Sequence, residues 1–193
     1  MKQWKWVVAI AGVVVLVGVI ALIMQGQRGS QLATDAAPFG GDNSVSYAKA
    51  LWSELEKAQL VGDNVIHSNF YEGDEPHGFV LEVFDADLTI GEHTGRMVLK
   101  RNYGPAGVEI EEVSNDPSGH LAATTVMFRR EAGYDDDHKN WFWAKYLPNG
   151  DLDKNPKGMQ LAGRVAKGAE VGCIACHSAA PGEDYLFFTD RAD

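Results

Sequence analysis

Two cysteines and a histidine near the end of the chain have the types and the spacing to do chemistry. Cys173 and Cys176 lie three residues apart and His177 follows directly, which gives the pattern C-x-x-C-H. On one turn of helix, residues at i and i+3 share a face, so both thiols can reach the two vinyl groups of one porphyrin. His177 can then give a ring nitrogen to the iron as an axial ligand. The pattern predicts one covalently bound haem c, with its iron held by His177.

Other uses of two closely spaced cysteines fit this chain less well. A structural disulfide across so short a loop would be strained and would leave His177 unexplained. A thiol–disulfide redox pair belongs at the start of a helix in a βαβ unit, with an accessible thiol. A structural zinc site needs about four ligands. The remaining histidines form no second paired motif; they are His67, His77, His93, His120 and His138.

The function of such a haem depends on its second axial position. Electron carriers fill that position with Met or a second His, whereas haems that bind or convert small molecules leave it open. Only 16 residues follow His177, and none of them is Met or His. A sixth ligand would therefore come from Met97, Met127 or Met159, which also suit core or turn packing. The spacing favours an open position.

The segments upstream of the motif predict an α+β domain. Apolar residues in DNSVSYAKALWSELEKA recur at spacings of three and four, which predicts an amphipathic helix capped by Asp42, Asn43 or Ser44. A second helical stretch, PKGMQLAGRVAKGAEVGC, leads into the haem motif. Between them, five segments rich in β-branched and aromatic residues predict a five-stranded, mainly antiparallel sheet with flanking helices. These segments are 78–90, 95–103, 107–113, 121–131 and 140–147, and VEIEEV within the third alternates apolar and acidic residues.

The beginning of the chain predicts a membrane segment. The uncharged apolar run from Trp6 to Met24 would reach roughly 28 Å as a helix, close to the hydrocarbon thickness of a bilayer. A cleavable signal peptide has a shorter apolar region followed by a small-x-small site. The length of the run and the missing site favour an uncleaved N-terminal transmembrane signal anchor over 1–24. The alternative is a soluble periplasmic protein after signal cleavage.

The charges beside this run predict its orientation. Lys2 and Lys5 keep the N-terminus in the cytoplasm, so the rest of the chain is exported. Residues 25–41 are rich in small and polar types and predict a flexible linker. We therefore expect an inner-membrane anchor that holds a haem c domain, residues 42–193, in the periplasm.

The predicted exported part is strongly acidic. Of the 17 Lys and Arg residues, three lie at or before Arg28, which leaves 14 against all 27 Asp and Glu residues and a net charge of −13. We expect no nucleic-acid partner, because binding phosphates requires positive charge. The pattern predicts a solvated acidic surface.

Several blocks of the sequence, taken in order, resemble the cytochrome P-460 family and its gas-binding relatives, the c′-beta cytochromes. The blocks are EPHGFVLEVF, GRMVLKRNYGP, ATTVMFRREAGYDDDHKNWFWAKYLPNGD, GCIACH and DYLFFTD, within residues 75–190. The four-helix c′-type cytochromes also end in a haem motif, but they need long helices where 78–147 predicts strands. The resemblance implies a five-stranded antiparallel sheet, often a homodimer, and a five-coordinate haem with His177 proximal.

The resemblance also implies a function and one further site residue. Family members that oxidise hydroxylamine carry a third covalent link, from a lysine to the porphyrin edge, whereas the c′-beta relatives lack it and bind NO or CO. Lys100 in VLKRNY is the expected counterpart of that catalytic lysine; the alternative is a solvent-facing lysine at a strand end. The chain would bind, and in the oxidising version oxidise, hydroxylamine or NO and pass electrons to an unidentified redox partner. The alternatives are a non-catalytic NO or CO binder and an electron carrier with an upstream Met ligand.

Three other features concern the surroundings of the haem. His77 could line the pocket or fix a turn with its neighbours, and we favour the turn. Strand alternation puts Trp141 and Trp143 on one face and Phe142 on the other, so only one set can face the haem, and core packing is the default interpretation. The apolar tail at 184–188 is expected to pack beside the haem helix.

Overall fold

The computed structural model describes residues 38–181 and 184–187. The predicted transmembrane anchor over 1–24 and most of the predicted linker over 25–41 lie outside the described residues. Within the described part, no helix is both long and apolar enough to cross a membrane.

The domain is built on one sheet whose six strands lie side by side in chain order. Every neighbouring pair is antiparallel. The predicted five-stranded, mainly antiparallel sheet is therefore wrong in strand number. The first and last strands have two residues each, which is too short for an alternating pattern to be detected in a sequence. The strands are β1 (Tyr71–Glu72), β2 (Val80–Ile90), β3 (His93–Tyr103), β4 (Leu121–Arg129), β5 (Trp141–Tyr146) and β6 (Ala162–Gly163).

The described α-helices are one long helix and three short ones, which also corrects the predicted flanking helices. The long helix agrees with the predicted amphipathic segment, but its N-cap is Gly41 rather than Asp42, Asn43 or Ser44. Asp42 lies in the first turn, where a negative charge suits the helix dipole. The helices are α1 (Asp42–Lys57), α2 (Ile110–Asn115), α3 (Pro117–His120) and α4 (Cys173–His177).

The predicted strand over 107–113 is wrong, because its second half begins α2. Glu109 and Glu112 exchange side-chain to backbone hydrogen bonds in a capping box, which stabilises the start of a helix. Val113 is buried beside Val80 as a result. Alternation over six residues does not distinguish a strand from one and a half helical turns when the apolar positions suit both periods.

The predicted second helix over 156–173 is also wrong, except that its last residue, Cys173, is helical. The structure has turns, the short strand β6 and Cys173 as the first residue of α4. Four glycines in this stretch have positive φ angles, which a right-handed helix does not accommodate. They are Gly158, Gly163, Gly168 and Gly172.

The two faces of the sheet bury different layers. On one side, which we call the helix face, α1 packs against side chains that include Leu99, Phe128 and Phe142. The opposite side, the cysteine face, carries Val98, Met127, Trp141 and Trp143. These side chains pack with Ile174 of α4 and with Phe39 and Val165, which lie outside the helices. The predicted separation of Trp141 and Trp143 from Phe142 is confirmed, because strand side chains alternate between faces.

Candidate functional site

A cavity of about 400 Å³ lies on the cysteine face. Strands β3, β4 and β5 supply one wall, and the segment that ends in α4 supplies another. The volume is within the roughly 300–1,000 Å³ of small-molecule and cofactor pockets. Most of the side chains that line it are apolar, including Val98, Met127, Leu161 and Val165. All three residues of the predicted haem motif line the same cavity.

The two cysteines lie on α4, as the spacing predicts. Both thiols are free, and both residues line the cavity, with Cys173 the less exposed of the two. Gly172 precedes them with a φ of 139°, and a Cβ atom there would come within 2.3 Å of the Ala166 side chain. A glycine is therefore required where the chain turns into α4. Burial raises the pKa of the Cys173 thiol.

His177 is held by a backbone group of the C-terminal tail. Its Nδ1 lies 2.7 Å from the carbonyl oxygen of Tyr185. A carbonyl oxygen only accepts, so Nδ1 carries the hydrogen and Nε2 keeps the lone pair that binds a metal ion. Burial lowers the pKa of His177, with Lys100 adding to the effect, although the hydrogen bond to Tyr185 opposes it. The imidazole is neutral at pH 7, the state in which it serves as a ligand.

The tail packs beside α4, as predicted for the part that the structure describes. Besides the Tyr185 carbonyl, the Phe187 ring lies 5.3 Å from the His177 ring. Tyr185 and Leu186 pack against the cysteine-face core. The tail thus supplies one hydrogen bond and one aromatic contact to His177.

Besides the residues of the motif, three cationic or titratable side chains line the cavity wall: Lys100, Lys145 and His77. Burial, together with the charges of Lys100, His177 and Lys145, lowers the pKa of His77 to about 4. The His77 backbone N–H bonds Asp74 O in a turn, and its ring lies 5.9 Å from the ring of His177. His77 thus occupies a turn, the favoured interpretation, and lines the cavity as well.

The methionines considered as sixth ligands occupy different environments. Met97 is fully buried in the helix-face core, on the opposite side of the sheet. Met159 is 39% exposed. Among the described methionines, Met127 alone lines the cavity.

The residues of this cavity fit a haem c. The two free thiols lie on one helical turn, and the imidazole is oriented by its Nδ1 hydrogen bond. Trp143 is buried in the wall 4.9 Å from the His177 ring, and its Nε1 has no hydrogen-bond partner within the described part of the chain. A buried donor without a partner is expected where a bound group completes the site. Across residues 38–181 and 184–187, no cluster of three or more His, Cys, Asp or Glu side chains could hold a metal ion by itself.

Comparison with known proteins adds no relative. The chain matches no family model, no curated protein and no solved structure.

Sequence reasoning missed two contributors to the site. The carbonyl of Tyr185 is a backbone group, and residue type does not reveal where it points. Trp143 was expected to face either the haem or the core, without a specific role for its indole N–H. The apolar tail after the motif was the available signal for the first of these.

Proposed function

We propose that this protein is an exported mono-haem c-type cytochrome that binds a small nitrogen-containing ligand, hydroxylamine or NO, at an iron position opposite His177. The observation that supports this most is the convergence of Cys173, Cys176 and an Nδ1-bonded His177 on one largely apolar cavity. Attachment of haem c outside the cytoplasm agrees with a periplasmic location.

Each motif residue has a distinct role in this proposal. The thiols of Cys173 and Cys176 would hold the porphyrin through thioether bonds to its vinyl groups, and His177 Nε2 would bind its iron. Bound haem supplies an iron that takes a small ligand and exchanges electrons with an unidentified redox partner. Val98, Leu161 and the other apolar side chains of the wall exclude water, which favours a small neutral ligand over solvent.

Lys100 separates two versions of the proposal. It lines the same cavity as the motif, which is compatible with the family resemblance that makes it the counterpart of the cross-linking lysine. A link from Lys100 to the porphyrin supports a hydroxylamine-oxidising enzyme. A haem joined by the two cysteines alone supports an NO or CO binder without turnover.

The absorption spectrum of the purified reduced protein tests the proposal. We expect a high-spin, five-coordinate spectrum in the ligand-free protein that changes when NO is added. Mass spectrometry of the haem peptide counts the covalent links, with Lys100→Arg as the matched variant for the third. The double substitution Cys173→Ser and Cys176→Ser should abolish covalent haem completely. A protein without covalent haem, or with a six-coordinate low-spin spectrum, would contradict the proposal.

An electron carrier is the second candidate, because Met127 lines the cavity within the same core as Trp143. Its sulfur would be the sixth ligand, and the protein would then pass electrons without binding a substrate at iron.

A further inference from the structure

The carbonyl that holds His177 belongs to a residue with an unfavourable backbone conformation. Tyr185 has a φ of 62°, in the left-handed region that residues with a side chain rarely adopt. Such a conformation is unfavourable for a residue with a side chain and persists where neighbouring contacts enforce it. The contacts that enforce it here lie next to Tyr185 in the chain.

Asp184 binds three groups of the sheet through three different oxygens. One carboxylate oxygen accepts from Arg96 Nη1 at 3.0 Å, and the other accepts from Arg129 Nη2. The backbone carbonyl of Asp184 accepts from Trp141 Nε1 at 3.2 Å. Asp184 is thereby fixed on both its side chain and its main chain, directly before the strained residue.

The partners of Asp184 are themselves held in place. Arg96 lies on β3 and makes a two-bond contact with Asp85 of β2, at 2.9 and 2.6 Å. The guanidinium of Arg129, at the end of β4, lies 4.5 Å from the Trp141 ring centre. A single exposed ion pair adds little to stability, but a network with a bidentate arginine holds a defined geometry.

We propose that Asp184 is a positioning residue that sets the donor strength of His177 through the carbonyl of Tyr185. With Asp184 held by Arg96 and Arg129, the Tyr185 carbonyl stays 2.7 Å from His177 Nδ1. A strong hydrogen bond at Nδ1 makes the imidazole a more basic ligand, which favours ferric over ferrous iron. The inference rests on the proposed function, since it requires an iron bound to His177.

The test compares Asp184→Asn with Asp85→Asn in the haem-loaded protein. Both substitutions remove one negative charge from a carboxylate that binds Arg96, and the two side chains are similarly exposed, at 35% and 34%. Asp85 has no described contact with the tail, so its variant reports the loss of one charge and any loosening of Arg96 while Asp184 itself stays unchanged. The measurements are the reduction potential and the iron–histidine stretching frequency of the ferrous protein.

We expect Asp184→Asn to raise the reduction potential and to lower the iron–histidine stretching frequency, both beyond any change in Asp85→Asn. Equal changes in the two variants, or no change in either, would overturn the inference. The proposed function would still stand in that case, provided that the protein carries covalent haem. A wild-type protein without covalent haem would overturn both.

Arg96→Gln provides a second variant, should Asp184→Asn fail to fold. It removes one of the two arginines that bind Asp184 and leaves Arg129 in place. The expected shift of the iron–histidine stretching frequency has the same direction and a smaller size than that of Asp184→Asn. Shifts no larger than those of Asp85→Asn would count against the role of Asp184.

Discussion

The two faces of the sheet both bury polar side chains, but they do so in different ways. The helix face holds an ion pair whose charged groups are bound to other parts of the same domain. The cysteine face holds a cavity with free thiols, an oriented imidazole and a buried indole N–H that has no partner within the described residues. The polar network of the helix face therefore stabilises the fold, whereas the polar groups of the cysteine face are available to bind a ligand.

On the helix face, Glu82 and Arg101 are directly opposite each other on β2 and β3 and are almost inaccessible to solvent. Arg101 donates to Glu82 and to the carbonyls of Leu60 and Ile66. Glu82 also accepts from the hydroxyl of Tyr103. Through these hydrogen bonds, the network connects β2 and β3 to the segment that follows α1.

Cavity size does not separate the two faces. A cavity of about 620 Å³ lies beside Arg101, Tyr103 and His67, larger than the one at the cysteines. The side chains of Arg101, Tyr103 and His67 that line it are bound to Glu82 in the internal network. The smaller cavity has the thiols and the indole donor, so available chemistry rather than volume identifies the candidate site.

The largest effect on the helix face is expected from Arg101→Met. Removing the arginine leaves the Glu82 carboxylate buried and without its ionic partner, which costs about 3–5 kcal/mol in the free energy of unfolding. Denaturant unfolding followed by circular dichroism measures the loss. If the protein carries the proposed haem, the absorption spectrum of the fraction that stays folded should not change, because the pair lies on the opposite face from His177.

Two controls accompany this substitution. Adding Glu82→Gln to Arg101→Met removes the unpaired charge and should recover part of the lost stability. Lys57→Met breaks an exposed pair with Glu54 and should cost less than about 1 kcal/mol. Equal losses for Arg101→Met and Lys57→Met would mean that the buried pair is no more important than a surface one.

Glu82 also predicts how the helix face responds to acid. Burial by itself would raise the pKa of the Glu82 carboxyl, but hydrogen bonds from Tyr103 and Ser68, together with the charge of Arg101, lower it below its usual 4.5. In the window between the two values, the unfolded chain binds the proton and the folded chain does not. This contribution to stability is therefore present above about pH 4.5 and is lost as the pH falls through the folded pKa.

Thermal unfolding at a series of pH values below 4.5 measures this contribution. The unfolding temperature of the wild type should fall more steeply with acid than that of Glu82→Gln, which has no carboxyl to titrate at this position. Parallel curves for the two proteins would show that other carboxylates carry the acid response.

The two faces also differ in how far sequence could predict them. Cys173, Cys176 and His177 are adjacent in the chain, so their spacing alone predicts that they act together. The pairing of Glu82 with Arg101 depends on the register between β2 and β3, which follows from the two-residue turn between Ile90 and His93 and is known only once that turn is placed.

Element prediction succeeded where the pattern was long and not interrupted by glycine. The 16 residues of α1 show the helical period over several turns. The segment VEIEEV is too short to separate the two periods, and its helix depends on a capping box formed by Glu109 and Glu112. The carbonyl of Tyr185 was beyond prediction, because its direction follows from contacts of Asp184 with distant strands.

The smallest effect is expected from Met127→Leu on the cysteine face. This swap nearly conserves volume and should cost less than about 1.5 kcal/mol of stability. If the position opposite His177 is open, the absorption spectrum and the reduction potential stay unchanged.

Met97→Leu is the matched control for this last substitution, because Met97 is buried on the helix face and cannot reach the cavity. A large change of spectrum and potential in Met127→Leu alone would make Met127 the sixth ligand and the protein an electron carrier. If both variants resemble the wild type, the position opposite His177 is open to a small ligand. The same face would then combine apolar packing by Met127 with the chemistry of the motif beside it.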